Sequence, residues 1–311
     1  MRLELSVVST LYQSAPYLRE FYERIVRAAS GVAASFEIVL VNDGSPDDSL
    51  ALAMDLHRAD PRVVVVDLSR NFGHHKAMMT GLSHARGDRV FLIDSDLEEP
   101  PESLAGFTGR LDRGDCDVVY GVQERRKGGF VERVAGRMFY SLFNWLASVE
   151  IPRDIVTARL MSRRYVDALV QHRDREVFMA GLWAATGFVQ VPISLHKLDK
   201  GQTSYGFSRR MEVVVNAITA FSIRPLRYIF YVGVLISLVS AAFIAYLVIL
   251  KLFFAKPLDG WTSLIVSVWF MGGLNASFLG VIGIYLAKIH TETKDRPYTV
   301  VRAVHGDRDE R

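Results

Sequence analysis

Two stretches near the C-terminal end of the chain, Tyr228–Leu250 and Trp261–Ala287, contain no charged residue. Each exceeds the roughly 20 apolar residues that cross a hydrocarbon core of about 30 Å. Buried core helices of that length would be expected to carry a charge, so both stretches are predicted to span a membrane. Basic residues set the orientation. Arg209, Arg210, Arg224 and Arg227 precede the first stretch, and Lys288, Lys294, Arg296 and Arg302 follow the second. The connecting loop offers Lys251 and Lys256 against Asp259. A multi-pass protein of the inner membrane is expected, with both termini cytoplasmic and a short external hairpin. Met1–Val8 alternates like a strand with Glu4 in its middle, which excludes a signal peptide. The single cysteine, Cys116, excludes an internal disulfide and fits a reducing compartment. A net charge of +3 is modest; no nucleic-acid partner is expected, and the basic residues beside the spans suit anionic membrane lipids.

Ahead of the spans, apolar runs alternate with amphipathic ones. Strands are predicted at Leu5–Ser9, Phe36–Val41, Val63–Leu68, Arg89–Ile93 and Asp117–Gly121, with helices between them. Continuous apolar strands separated by helices indicate an α/β fold, a doubly wound and mostly parallel sheet covered on both faces. After Gly121 the pattern changes. Polar loops are expected over 123–129 and 197–207, helices over 131–149, 160–171 and 176–187, and an extended segment over 188–195. Residues 208–221 place Met211, Val214, Val215, Ile218 and Phe221 at helical spacing, which suits an interfacial helix. The expected domains are 1–207 (catalytic), 208–227 (juxtamembrane), 228–287 (two spans) and 288–311 (tail).

Ligands of such sheets collect beyond the carboxyl ends of the strands. Asp43 follows the second strand, and Asp94-Ser95-Asp96-Leu97-Glu98 follows the fourth. Carboxylates at that density repel one another unless a cation sits between them, so a divalent ion carrying a diphosphate is the natural occupant. Other polar residues have plainer readings. His74 and His75 lack a third metal ligand and read as solvated or core-edge histidines. Asp47, Asp48, Asp115 and Asp117 read as caps and turns, and Glu99 as facing solvent or supporting its loop.

Val41-Asn42-Asp43-Gly44-Ser45, Leu68-Ser69-Arg70-Asn71-Phe72-Gly73, Asp94-Ser95-Asp96-Leu97-Glu98-Glu99-Pro100-Pro101, Phe221-Ser222-Ile223-Arg224-Pro225-Leu226 and the two-span tail ending in Arg296-Pro297 together resemble the family-2 glycosyltransferases that act on polyprenyl phosphates. Bactoprenol glucosyltransferases, undecaprenyl-phosphate aminoarabinose transferases and dolichol-phosphate mannose synthases belong to that group. The resemblance implies a GT-A fold with two C-terminal membrane helices, and inverting transfer of one sugar from a UDP-linked nucleotide sugar to undecaprenyl or another polyprenyl phosphate. It implies Mg2+ or Mn2+ on Asp94, Asp96 and Glu98, the last standing where relatives carry Gln. Thr10, Asp43, Arg70, Asp94 and Asp96 would hold the nucleotide sugar. Arg126, Arg137 and Arg159 would act with Asp96 in catalysis, and Lys200, Tyr205, Arg209 and Arg210 would meet the acceptor phosphate. Arg70-Asn71-Phe72-Gly73 would position the turn near the nucleotide.

The chain departs from the family pattern at Thr157-Ala158-Arg159, where many relatives carry Asp-Phe-Arg and the Asp is often taken as the base. An alcohol acceptor would need that base. A phosphomonoester has a second pKa near 6 and reaches neutral pH mostly deprotonated, so it attacks without one. Ser204 before Tyr205 is a second departure. Two rival readings follow: a degenerate transferase serving as a membrane scaffold, or a transferase using a different lipid or nucleotide. A processive synthase is disfavoured by the lack of further spans and of a Gln-x-x-Arg-Trp motif. Asn275 and Gly272-Gly273 in the second span permit homo-oligomer contacts.

Overall fold

The computed structural model describes residues 3–123, 152, 154–197, 224–254, 260–294 and 296–306. They fall into two compact units, a sheet unit and a unit containing two long helices. The helices predicted over 131–149 and 208–221 lie outside the described residues, as do Arg126, Arg137, Lys200, Tyr205, Arg209 and Arg210.

The sheet unit opens with four strands: β1 (Leu5–Leu11), β2 (Phe36–Asn42), β3 (Val63–Leu68) and β4 (Arg89–Leu92). Every residue of the first three is buried, as unbroken apolar runs require when helices cover both faces. The helices between them are α1 (Leu18–Ser30), α2 (Ser49–Ala59) and α3 (His74–His84). Helix α1 turns Leu18, Phe21, Ile25 and Ala29 inward, a single stripe at helical spacing. Helix α3 lies so close to β1 and β2 that a Cβ on Gly81 would stand 2.5 Å from Val8 Cγ1 and 2.8 Å from Val41 Cγ2.

The second part of the sheet is mixed. After a short helix α4 (Leu104–Leu111) come β5 (Val118–Gln123), β6 (Ile155–Ser162), α5 (Arg163–Leu169), α6 (Met179–Ala185) and β7 (Gln190–Leu195). With a last strand β8 (Val301–His305), the strand order is β7-β5-β6-β4-β1-β2-β3-β8. Strands β1–β4 are mutually parallel, whereas β6 runs antiparallel to both β4 and β5. The helix predicted over 160–171 is therefore corrected. Its first residues finish strand β6, and only after Ser162, whose hydroxyl accepts from the Tyr165 N–H, does the chain turn into α5. The helix predicted over 176–187 shortens to α6.

The stretch predicted as a tail is also corrected. Val301–His305 forms β8, antiparallel to β3 at the sheet edge. The helical unit holds α7 (Arg224–Phe254) and α8 (Trp261–Thr293). Two spans are predicted here; among the described residues one stretch, Ser267–Thr293, is long and apolar enough to cross a membrane. Large apolar side chains on both helices are exposed, among them Phe230, Leu235, Trp269 and Leu279.

Candidate active site

Because β1, β2 and β4 are parallel, their carboxyl ends share one rim of the sheet. Thr10 of β1, Asp43 after β2 and Asp94 after β4 all come to it. Strand β6 arrives from the opposite direction, with Leu92 paired to Arg159. Continuing that register sets Thr157 opposite Asp94.

Asp43 is buried and both its oxygens are engaged. Oδ1 accepts from the Phe72 N–H at 2.7 Å and Oδ2 from the Gly73 N–H at 3.0 Å. Burial pushes its carboxyl up, and these two donors oppose that rise. The carboxylate thereby pins the Arg70–Gly73 turn between β3 and α3. The backbone on the other side is equally close: a Cβ on Gly44, whose φ is +59°, would stand 2.4 Å from Asn71 N. Only glycine tolerates both that approach and that conformation. Arg70 is exposed, its guanidinium 4.2 Å from the centre of the Phe72 ring.

His74, at the start of α3, belongs to this rim; its side chain is 48% exposed, as a solvated histidine's would be, but it has partners there. Its Nδ1 lies 2.9 Å from Thr10 Oγ1 and its Nε2 3.3 Å from Asp94 Oδ1. Burial lowers its pKa, but Asp94, Asp43 and Asp96 outweigh that and raise it. His75 points elsewhere, with Nδ1 3.1 Å from Val177 O, and burial lowers its pKa.

The second acidic corner is met by side chains and crowded with charge. Asp94 Oδ1 is a buried atom whose neighbour is His74 Nε2 at 3.3 Å. Burial works to raise its pKa, but His74, Thr157 and Lys197 hold it down, Thr157 through a side-chain hydrogen bond. Asp96 Oδ1 accepts from the Glu98 N–H at 3.0 Å. Burial, followed by the charges of Asp94 and Glu98, pushes its carboxyl up. Between Asp96 and Glu98 the backbone of Leu97 takes φ +64°, sending the Leu97 side chain into the core while both acids stay at the surface. A β-turn position of that kind is costly for a non-glycine residue and is held here by the packing beneath it.

Glu98, predicted as a metal ligand, instead pairs with Lys197 at 2.7 Å. Among the described residues no group of three His, Cys, Asp or Glu is placed to hold a metal ion. Asp94 and Asp96 remain suited to a hard divalent cation, because Mg2+ ordinarily takes one or two carboxylates and completes its shell with water and substrate phosphate. The mutual repulsion of Asp94, Asp96 and Glu98 fits such an ion.

Of the two readings of Glu99, facing solvent or supporting its loop, the structure shows the second. This residue is buried, with its oxygens accepting from the Thr157 N–H at 2.9 Å and the Ala158 N–H at 2.8 Å. Burial and the nearby Asp94 push its carboxyl up to about 8. It fastens the acidic loop to the start of β6. Arg159, predicted to act on the reacting groups, is 1% exposed. Its Nε and Nη2 donate to the carbonyls of Thr157 and Val156, and it stacks on Trp183. Burial lowers its pKa to about 9. With Tyr120, Trp183, Phe188 and Gln190 it lines a cavity of about 250 Å³.

Residues 6–170 match the family described as glycosyl transferase family 2. Over 98% of its length the chain is 47% identical to a Mycobacterium tuberculosis protein that carries a glycosyltransferase name, covering 89% of that protein. It is 30% identical to the prophage-derived bactoprenol glucosyl transferase of Shigella flexneri, over 97% of this chain and 99% of the relative. Among solved structures, a mannosyltransferase from Pyrobaculum calidifontis in complex with GDP-Man and Mn2+ superposes with a TM-score of 0.51 at 15% identity. That match covers 95% of this chain and 87% of the other, and shows that the fold is the GT-A type.

Proposed function

The chain belongs to glycosyl transferase family 2, and on that premise we propose that it moves one sugar, with inversion, from a UDP-linked donor to a polyprenyl phosphate at the cytoplasmic membrane face. The observation that carries this reading is the convergence of Thr10, Asp43, His74, Asp94 and Asp96 on one rim, where Asp94 and Glu98 crowd the Asp96 carboxyl and Lys197 pairs with Glu98. The bactoprenol glucosyl transferase relatives support the lipid acceptor.

Asp43 fixes the turn against which the nucleoside lies. Asp94 and Asp96 would hold a divalent cation, which would supply neutralising charge for the donor diphosphate. Thr157 bonds to Asp94 where relatives carry an acid, so no side chain of that position takes a proton. The acceptor needs none, since its phosphate is already ionised near neutral pH. An acid at 157 would instead stand against Asp94 and above the buried Glu99.

Connectivity supports a pair of membrane spans over a single one. Strand β8 lies in the same sheet as β3, so a chain that leaves the sheet unit for the helices must return to the same side of a bilayer. With Ser267–Thr293 as one crossing, Tyr228–Leu250 is the second. Exposed Phe230, Leu235, Trp269 and Leu279 are then lipid-facing, where their burial is favourable.

The test is incubation of the purified protein with a panel of labelled UDP- and GDP-sugars, a short polyprenyl phosphate and Mn2+ or Mg2+. A lipid-linked monosaccharide is the expected product. No lipid product from any donor contradicts the reading and favours a scaffold, and polymer contradicts single transfer.

A further inference from the structure

The chain returns to the sheet within a few residues of the end of α8, and what it does there bears on the donor corner. Ser69 is the last residue before the Arg70–Gly73 turn, and strand β8 holds both of its backbone groups. Its N–H donates to Val300 O at 2.9 Å, and its carbonyl accepts from Arg302 Nη2 at 2.8 Å. Arg302 Nη1 donates to Asp67 Oδ2 at 3.1 Å, and Asn42 Nδ2 donates to Asp67 Oδ1 at 2.8 Å. Asn42 in turn receives the Ser45 N–H on Oδ1 at 3.2 Å and directly precedes Asp43.

The backbone explains how one arginine reaches all of this. The β3–β8 ladder slips between Asp67, paired with Ala303, and Leu68, paired with Val301. Arg302 is the residue left over at that bulge, and bulges re-aim a side chain. Its planar fork then serves two acceptors at once, which the single ammonium of a lysine does less well. Asp67 is buried, its side chain 5% exposed, so the pair is sheltered even though the Arg302 side chain is 58% exposed. Thr299 adds a second tie, its hydroxyl 2.8 Å from that of Thr80 on α3.

We propose that Arg302 is a positioning residue for the nucleotide. It fixes the entrance of the Arg70–Gly73 turn through Ser69 and Asp67, as Asp43 fixes the exit through Phe72 and Gly73. The segment following the second long helix is thus part of the donor corner, and the end of that helix is tethered to it by a few residues of chain. This inference rests on the reading of the Asp43 corner as the nucleotide site.

Calorimetric titration of UDP and of GDP, with Mn2+, into the full-length protein in detergent tests it. Arg302→Ala is expected to weaken the nucleotide Kd about tenfold, with the number of sites per chain unchanged, and Arg302→Lys to recover part of the loss. A role confined to stability would lower the number of sites and leave Kd alone, which would overturn the proposal. If Arg302→Ala does not fold, Arg302→Gln, which keeps a donor for Ser69 O, gives the same readout. Asp43→Asn separates the two layers of inference. A weakened Kd for Asp43→Asn beside an unchanged one for Arg302→Ala refutes the positioning role and leaves the donor corner standing. If neither variant moves Kd, or the unaltered protein binds no nucleotide, the donor corner itself falls and this proposal with it.

Discussion

Asp43 and Asp94 stand at the carboxyl ends of β2 and β4, the two strands that flank β1, and their surroundings differ. Each Asp43 oxygen receives a backbone N–H, while Asp94 meets the side chains of His74, at 3.3 Å, and Thr157. The first corner is closed by backbone donors; in the second, Asp94 and Glu98 crowd Asp96 and push its carboxyl up. Position on the rim makes a carboxylate a candidate, but whether backbone donors satisfy it or other acids crowd it decides if it builds the site or takes up a cation.

The largest expected effect tests the crowded corner. Asp96→Ala should abolish sugar transfer while leaving the thermal midpoint unchanged or slightly raised, since it removes a carboxylate that Asp94 and Glu98 repel. Retained turnover would erase the distinction between the corners. Asp43→Asn should behave in the reverse sense. An amide places an NH2 against one of two backbone donors, costing about 1–3 kcal/mol of stability by urea unfolding and weakening donor binding. A variant as stable as the parent would show that the turn does not depend on this carboxylate.

Thr157→Asp sharpens the contrast further. It should give no more than about a twofold change in rate, because an ionised phosphate needs no base, and it should lower stability by adding charge beside Asp94 and Glu99. A rate rising by orders of magnitude, measured at saturating acceptor, would mean that a proton must be removed after all.

The smallest effect lies beneath the Asp43 corner. Burial acts to raise the Asp47 pKa, yet hydrogen bonds from Ser45, Ser49 and the Ala15 N–H hold it down to about 2. A carboxyl with a depressed folded pKa contributes stability above about pH 4, its unfolded value, and loses it as pH falls toward 2. Asp47→Asn should therefore flatten the decline of the unfolding midpoint between pH 4 and 2. An unchanged slope would show that other acids set it.

Much of the parallel half was legible in the sequence, because runs such as Val63–Val66 are apolar throughout and helices with one apolar stripe separate them. The mixed half was less so. Ile155–Ser162 runs directly into α5 with no glycine or proline between, so the last residues of the strand and the helix after it read as one helical stretch over 160–171. Val301–His305 pairs with β3 across most of the chain length, and nothing local marks it as a strand. At the site, Asp43, Asp94 and Asp96 were visible because strand ends are. His74, Lys197 and Arg302 were not, since each meets its acid through tertiary contact alone. Glu99 read either as solvated or as a loop support in its Glu-Glu-Pro-Pro context, and the buried N–H groups of Thr157 and Ala158 required an acceptor.

The central claim is that the Asp94–Asp96 corner works with a divalent cation on a nucleotide-sugar diphosphate beside a lipid phosphate. Sugar transfer to a short polyprenyl phosphate, followed while EDTA is titrated in and Mn2+ is then restored, tests it most directly. Activity lost with chelation and recovered with the ion is the predicted result; transfer continuing at full rate in excess EDTA would contradict it.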